Sequence, residues 1–384
     1  MSSPDLNEAE REAVAAVLRT PNLSMGGEIQ AFEAAFCQHT GWKHAIGVSS
    51  GTAGLHLCVR AAGIGEDDLV ITTPFSFVSS ANVLLFERAV PVFVDVDPVT
   101  GNIDPINVQQ AATELANGGE AGRAWLPRKG YRGEGRLKAI LPVDVFGQPA
   151  DYDPIRETAQ AHGLKLVEDS CEALGAEYKG QKAGTLGDMG VYAFYPNKQI
   201  TTGEGGMIVT EDEQAAALMR ALRNQGRAPG DTWLQHTHLG YNYRMDEMSA
   251  ALGKVQMNRL DELLAKREQV AGWYNERIAE IPGVEPPQVA PSTTRVSWFV
   301  YVVRFAAGID RERVVNALGE LGIPARPYFI PIHLQPYMVE RFGYQEGDFP
   351  VTEDLGRRSL ALPFSGVMNE AQVEQVCQSL AKVL

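Results

Sequence analysis

Cysteine is scarce in this chain. Four residues in 384, Cys37, Cys58, Cys171 and Cys377, are scattered without a C-x-x-C pair. That spacing argues against a disulfide framework or a thiolate zinc site and fits reduced thiols in a cytosolic protein. Histidine is nearly as sparse, at seven residues, and His236 and His238 have no third ligand at a suitable spacing, so no metal is expected. No apolar run approaches the roughly 18 residues of a membrane span. The polar, acidic start "MSSPDLNEAEREAV" does not read as a signal peptide. Positive charge is also short: 34 Lys and Arg against 48 Asp and Glu leave a formal net charge of −14. Nucleic acid is therefore a disfavoured partner, although a local basic pocket could still take a small anion. Two nucleotide motifs are missing as well. The first strand is followed by "SSGTAG" and not by G-x-G-x-x-G, and the surroundings of Lys198 are not a G-x-x-x-x-G-K-[ST] loop. The expectation is a soluble, cytoplasmic protein whose partners are small molecules.

Hydrophobic residues make up 45% and charged residues 21% of the chain, enough for a large domain and a smaller one. Short Val/Ile/Leu runs at 44–50, 68–74, 90–97, 139–147 and 165–169 alternate with helical patterns such as 52–63 and 153–162. This predicts an α/β fold with a mostly parallel sheet covered on both faces. Runs at 190–195 and 206–212 predict a strand pair flanking "FYPNKQITTGEGG" (194–206). From Met245 to Ile281 the period changes to that of one long helical segment, with Met245, Met248, Leu252, Val255 and Leu263 as a core-facing stripe. A proline-rich linker (281–292), a strand (296–305) and helices at 309–321 and 368–384 predict a smaller α+β domain. The expected division is 1–245 and 246–384. The Gly- and Arg-rich stretch 117–136 reads as an exposed loop or a lid over the substrate.

Several residues carry candidate chemistry. Gly51 and Thr52 open the helix after the first strand, where free N–H groups and the helix dipole favour an anion; a plain N-cap is the alternative. Asp169 ends a predicted strand, where open α/β sheets place ligand groups. It would suit a protonated heteroaromatic nitrogen, with a metal ligand or a helix cap as the blander readings. Phe77 could stack on a flat ring or belong to the core. Lys198 sits between an aromatic, proline-broken approach and a small-residue exit, where Gly203, Gly205 and Gly206 allow close backbone approach. A lysine, an acid for a ring nitrogen, an aromatic plate and a phosphate nest are together the inventory for pyridoxal phosphate (PLP).

The segments "SSGTAGLHL", "PFSFVSSANVLL", "VFVDVD", "EDSCEALGA", "FYPNKQITTGEGGMIVTED", "LRNQGR", "LGYNYRMDEMSAALG", "PYFIPIHLQPY" and "SLALPFS" occur in order over the whole length. In them the chain resembles the DegT/StrS family of PLP-dependent, fold type I nucleotide-sugar aminotransferases. The resemblance implies that Lys198 carries PLP as an internal aldimine, Asp169 partners the pyridine nitrogen, Phe77 stacks on the ring, and Gly51 and Thr52 hold the phosphate. Glu172 falls where the family places a Gln, His or Glu near the ring. Asn242 would reach the phosphate of a neighbouring subunit, making a homodimer with shared sites; capping of the helix near Met245 is the other reading. Arg326, Arg227, Arg244 and His333 are basic groups for a diphosphate, or structural ion pairs. The implied substrates are a nucleotide-linked keto-sugar and glutamate. A cyclitol or other keto substrate is an alternative, whereas a sugar dehydratase would carry histidine in place of Lys198. Two departures stand out. Ala193 replaces the serine that commonly donates to the phosphate, and Leu174 stands where histidine is common.

Overall fold

The computed structural model describes residues 3–384. Strands β1 (His44–Val48), β2 (Leu69–Thr72), β3 (Val90–Phe93), β4 (Leu137–Leu141) and β5 (Lys165–Asp169) come first, followed by β6 (Glu177–Tyr178), β7 (Gln181–Lys182), β8 (Met189–Ala193) and β9 (Gly206–Thr210). Seven of them form one sheet in the order β1-β9-β8-β5-β4-β2-β3. All neighbours from β8 to β3 run parallel, and β9 is antiparallel to both β8 and β1. The expected pair flanking Lys198 is thus β8 and β9. Alternation along β2 explains the two-sided burial: Val70 joins one apolar cluster, while Leu69 and Ile71 join the other. Each fully buried Leu, Ile or Val contributes about 1.5–3 kcal/mol relative to exposure.

The later strands β10 (Val284–Glu285), β12 (Tyr301–Phe305), β13 (Arg326–Pro327) and β14 (Ser359–Leu362) form a four-stranded sheet in the order β10-β12-β14-β13, while β11 (Thr293–Arg295) joins β6 and β7. A separate core gathers Val270, Tyr274, Tyr301, Val303, Leu360 and Leu380. Three sequence expectations change here. The long segment from Met245 divides into helices Glu247–Asn258 and Leu260–Ile278, which meet at Arg259. The strand expected from 296 begins only at Tyr301, because Trp298 has φ +50° and turns the chain out of the sheet. Residues 117–136 contain the helix Gly119–Ala124. Asp67 pins the rest of that stretch by accepting from the N–H groups of Arg132 at 2.8 Å, Glu134 at 2.8 Å and Gly135 at 3.1 Å. Among the described residues no helix is long and apolar enough to cross a membrane.

Candidate active site

The carboxyl ends of β1, β5 and β8 open on one cavity of about 550 Å³. Its lining includes Gly51, Thr52, Phe77, Asp169, Glu172 and Lys198. Six positions from distant parts of the chain therefore converge, as the ends of parallel strands allow.

After β1, Ser50 caps the helix Gly51–Ala61, its Oγ accepting from Ala53 N at 3.0 Å. The cap is thus Ser50, which leaves Gly51 and Thr52 in the first turn, facing the cavity. A Cβ on Gly51 would lie 2.8 Å from both Ala193 Cβ and Cys171 Sγ. On Gly206 it would lie 2.7 Å from the Ser50 carbonyl. Both positions exclude a side chain so that this turn can pack against the ends of β8 and β9. Thr52 Oγ1 lies 2.9 Å from Ser79 Oγ, which also lines the cavity, so a second hydroxyl stands beside the turn where Ala193 offers none.

Asp169 closes β5 and is buried, with Oδ2 accepting from Ser80 Oγ at 2.6 Å. No group of three or more His, Cys, Asp or Glu suited to a metal occurs among the described residues. Phe77 is 61% exposed and lines the cavity, so it is not a core aromatic; Phe75, at 1%, is.

Lys198 Nζ lies 3.7 Å from Glu172 Oε1 and 3.7 Å from the centre of the Phe299 ring. Burial pushes the Glu172 carboxyl upward, while the Lys198 charge pulls it back. Its other oxygen accepts from Phe146 N at 2.9 Å. The backbone of Lys198 is fixed from behind: Arg267 donates to the Lys198 carbonyl at 2.6 Å and to that of Trp298 at 3.0 Å. Arg267 is buried among carbonyls, and desolvation draws its guanidinium down to about 10. The Cys171 thiol, also in the lining, is pushed well up by burial and then by the Asp169 charge, so it stays protonated and is a poor nucleophile. Tyr328, also in the lining, is raised to about 12, first by burial and then by Glu172.

The remaining candidates lie elsewhere. His333 is fully buried, with Nε2 3.0 Å from Glu353 Oε1, and does not line the cavity; it is a structural pair. Arg227 lies over the Trp233 ring at 4.9 Å, and Arg244 donates to Asn224 Oδ1 at 3.0 Å. Neither reaches the cavity of its own chain. Arg326 is exposed on β13, two residues before Tyr328. Asn242 is exposed, and it is not a helix cap: Asp246 caps the following helix, accepting from Ser249 N at 2.9 Å. No residue of 117–136 lines the cavity of its own chain. Phe299, Tyr328, Ser79, Ser80 and Arg267 were not singled out in the sequence. Only the serines had a local signal, their position just after Phe77.

The residues fit PLP: a basic amine, a buried carboxylate, an exposed aromatic face and a side-chain-free helix start share one cavity of suitable size. Comparison with known proteins agrees. A family model described as the DegT/DnrJ/EryC1/StrS aminotransferase family matches residues 4–381. The chain is 39% identical over 388 residues to the GDP-perosamine synthase of Caulobacter vibrioides, covering 100% of this chain and 98% of that protein. It is 35% identical over 396 residues to the spore coat polysaccharide biosynthesis protein SpsC of Bacillus subtilis, covering 100% and 96%. The solved structure of Helicobacter pylori PseC, an aminotransferase involved in the biosynthesis of pseudoaminic acid, superposes with a TM-score of 0.87 at 27% identity, covering 100% and 98%. The chain belongs to the DegT/DnrJ/EryC1/StrS aminotransferase family and is a PLP-dependent aminotransferase.

Proposed function

We propose that the chain aminates the keto carbon of a nucleotide-linked sugar, taking the amino group from glutamate, in a homodimer with shared sites. The observation that carries this reading is the position of Lys198, whose Nζ stands in one cavity with Asp169, with Glu172 at 3.7 Å and with the helix start at Gly51 and Thr52. Bound PLP supplies an electron sink that stabilises a carbanion next to the transferred nitrogen. Lys198 would anchor it covalently through Nζ, and the same amine, once released, would carry the proton between the substrate carbon that bears the nitrogen and C4′ of the cofactor. Asp169 holds the proton on the ring nitrogen. Gly51 and Thr52 bind the phosphate, and Phe77 covers the ring.

The substrate side rests on two supports. The Caulobacter relative is named for a GDP-linked product, so a GDP-linked keto-sugar is the first acceptor to try. Among the described residues Lys198 is the one cation lining the cavity, against Asp169, Glu172 and Glu204. A diphosphate therefore needs further charge, and Arg326 near the rim, with Arg227 and Arg244 of a second copy, supply it in this reading. An apolar surface near Asn242 supports the dimer: Trp233, Leu234 and Leu239 are 77%, 81% and 82% exposed.

Borohydride reduction of the purified protein followed by peptide mapping tests the anchor. The pyridoxyl group is expected on Lys198, and label on another lysine refutes the assignment. Turnover across keto-sugars carrying different nucleotides tests the acceptor; activity only with a nucleotide-free ketone would refute it.

A further inference from the structure

Asp169 is held by a chain of hydroxyls. Ser80 Oγ donates to Asp169 Oδ2 at 2.6 Å, and Ser76 Oγ lies 3.0 Å from Ser80 Oγ. The other carboxylate oxygen, Oδ1, accepts from Cys171 N at 3.2 Å. Ser76, Ser80 and Asp169 are all buried and all line the cavity. Ser80 sits in the first turn of the helix Ser79–Phe86, and Ser76 lies just ahead of it.

The proton inventory sets the direction of this chain. An ionised carboxylate only accepts, and each serine has one proton to give. With Asp169 ionised, the Ser80 proton is committed to it, so the proton between the two serines belongs to Ser76. The Phe77 carbonyl, 3.3 Å from Ser80 Oγ, loses that competition because bonds to a charged acceptor are stronger. Both oxygens of Asp169 are then tied to the protein, and the carboxylate cannot swing.

We propose that Ser80, backed by Ser76, is a positioning residue that fixes the Asp169 carboxylate and leaves its spare acceptor capacity for the cationic N–H of the PLP ring. This rests on the reading of Asp169 as the partner of that nitrogen. In this proposal the serines act through Asp169, to which Ser80 donates directly.

The test compares Ser80→Ala, Ser80→Thr and Ser76→Ala, and combines Ser80→Ala with Asp169→Asn. Three quantities are read: PLP affinity of the apoenzyme, pH dependence of the bound cofactor's visible absorption, and the half-reaction rate with glutamate. Losing a hydrogen bond to a charged acceptor corresponds to about 10- to 100-fold. Ser80→Ala should slow the half-reaction by about that factor with KM for glutamate unchanged, and should shift the pH dependence of the absorption. Ser80→Thr keeps the hydroxyl and should restore both. Ser76→Ala should lose less, in the same direction, and it decides the matter if Ser80→Ala does not fold. In the Asp169→Asn background, Ser80→Ala should add little. Wild-type spectra and rates in Ser80→Ala and Ser76→Ala, or the same loss with and without the Asp169 carboxylate, would overturn the proposal. A wild type that takes no PLP at Lys198 brings down the functional reading and this inference together. A loaded wild type with an indifferent Ser80→Ala removes this inference alone.

Discussion

The cavity wall and the segment 225–244 are built on opposite terms. In the wall the polar candidate groups are tied to their own chain: Thr52 to Ser79, Asp169 to Ser80, Glu172 to the Phe146 N–H, and the Lys198 carbonyl to Arg267. The segment 225–244 is closed at its base, where Gln225 N donates to the Tyr241 carbonyl at 2.7 Å and His238 N to the Gly226 carbonyl at 3.0 Å, and is braced within itself by Asp231, which accepts from Ala228 N at 2.7 Å and Thr237 Oγ1 at 2.7 Å. Its far end presents Trp233, Leu234 and Leu239 to solvent. Between the two, Tyr241 and Tyr243 turn inward onto His56, Arg60 and Glu87, which leaves Asn242 facing out. One region is finished by folding, whereas the other has the composition of a surface still to be covered. In the proposed reading, cofactor chemistry belongs to one chain and completion of the site to the assembly.

The sharpest way to break this contrast is to remove the amine. Lys198→Ala should fold, because the residue's backbone is held by Arg267 and not by Nζ. Its half-transamination with glutamate should fall by about 10²–10⁴-fold or more, the range for losing a positioned proton carrier. Single-turnover absorption measurements check it. A variant that turns over within tenfold of wild type would remove Lys198 from the chemistry.

Why the wall was legible and the rest was not follows from the same contrast. Asp169, Gly51 and Lys198 each lie at or just beyond a strand end, and an α/β sheet aims such positions at one place. Their convergence could be read from local pattern alone. Phe299 reaches the cavity only because Trp298 breaks the expected strand, and Arg267 matters only because two distant loops offer it carbonyls. Neither has a local signature. His333 looked like a substrate ligand because it lies in a matched segment, but its partner Glu353 comes from another helix, and packing decides the pairing. The break at Arg259 was hidden because helical period runs through it; the residue's bonds to Asp5 and Glu10 at the start of the chain hold it there.

A smaller effect, specific to the wall, comes from the acid behind Asp169. Asp144 is fully buried, donates its N–H to the Asp169 carbonyl, and accepts from Ser170 Oγ, Tyr152 Oη and Ala150 N at 2.6, 2.8 and 3.0 Å. Burial, aided by the Asp169 charge, pushes its carboxyl up from 3.8 to about 7. Between those limits the folded chain keeps a proton that the unfolded chain has released. Raising the pH through this window therefore lowers stability, and the contribution is greatest below about pH 4. In Asp144→Asn the amide keeps the three contacts once Ser170 accepts, and this titration disappears. The stability of wild type relative to the variant should decline from pH 4 to 7 by roughly 2–4 kcal/mol, measured by urea unfolding of the apoenzyme. Parallel stability curves for the two proteins would show that Asp144 ionises freely.

The smallest effect should come from the other region. Asn242→Ala removes a neutral donor that leaves the rest of its chain untouched, since the residue is exposed and Asp246 does the capping. If Asn242 completes a phosphate site across the dimer, PLP affinity should fall by about tenfold, one hydrogen bond to an anion. A loss of that size could also come from a distorted loop, so affinity alone does not separate the two regions. Subunit mixing does. An inactive Lys198→Ala chain is exchanged with an Asn242→Ala chain, and mixed dimers are isolated by two affinity tags. With shared sites, one site in the mixed dimer combines the intact Lys198 of one chain with the intact Asn242 of the other. That site should regain wild-type PLP affinity and turnover, while its twin carries both lesions. Trp233→Ser with Leu234→Ser should abolish the recovery by preventing association, seen as a monomer in sedimentation. Recovery fails if each chain serves only its own cavity. A mixed dimer that is no better than the Asn242→Ala homodimer would place Asn242 outside the site, and the contrast between a finished wall and an unfinished edge would lose its functional meaning.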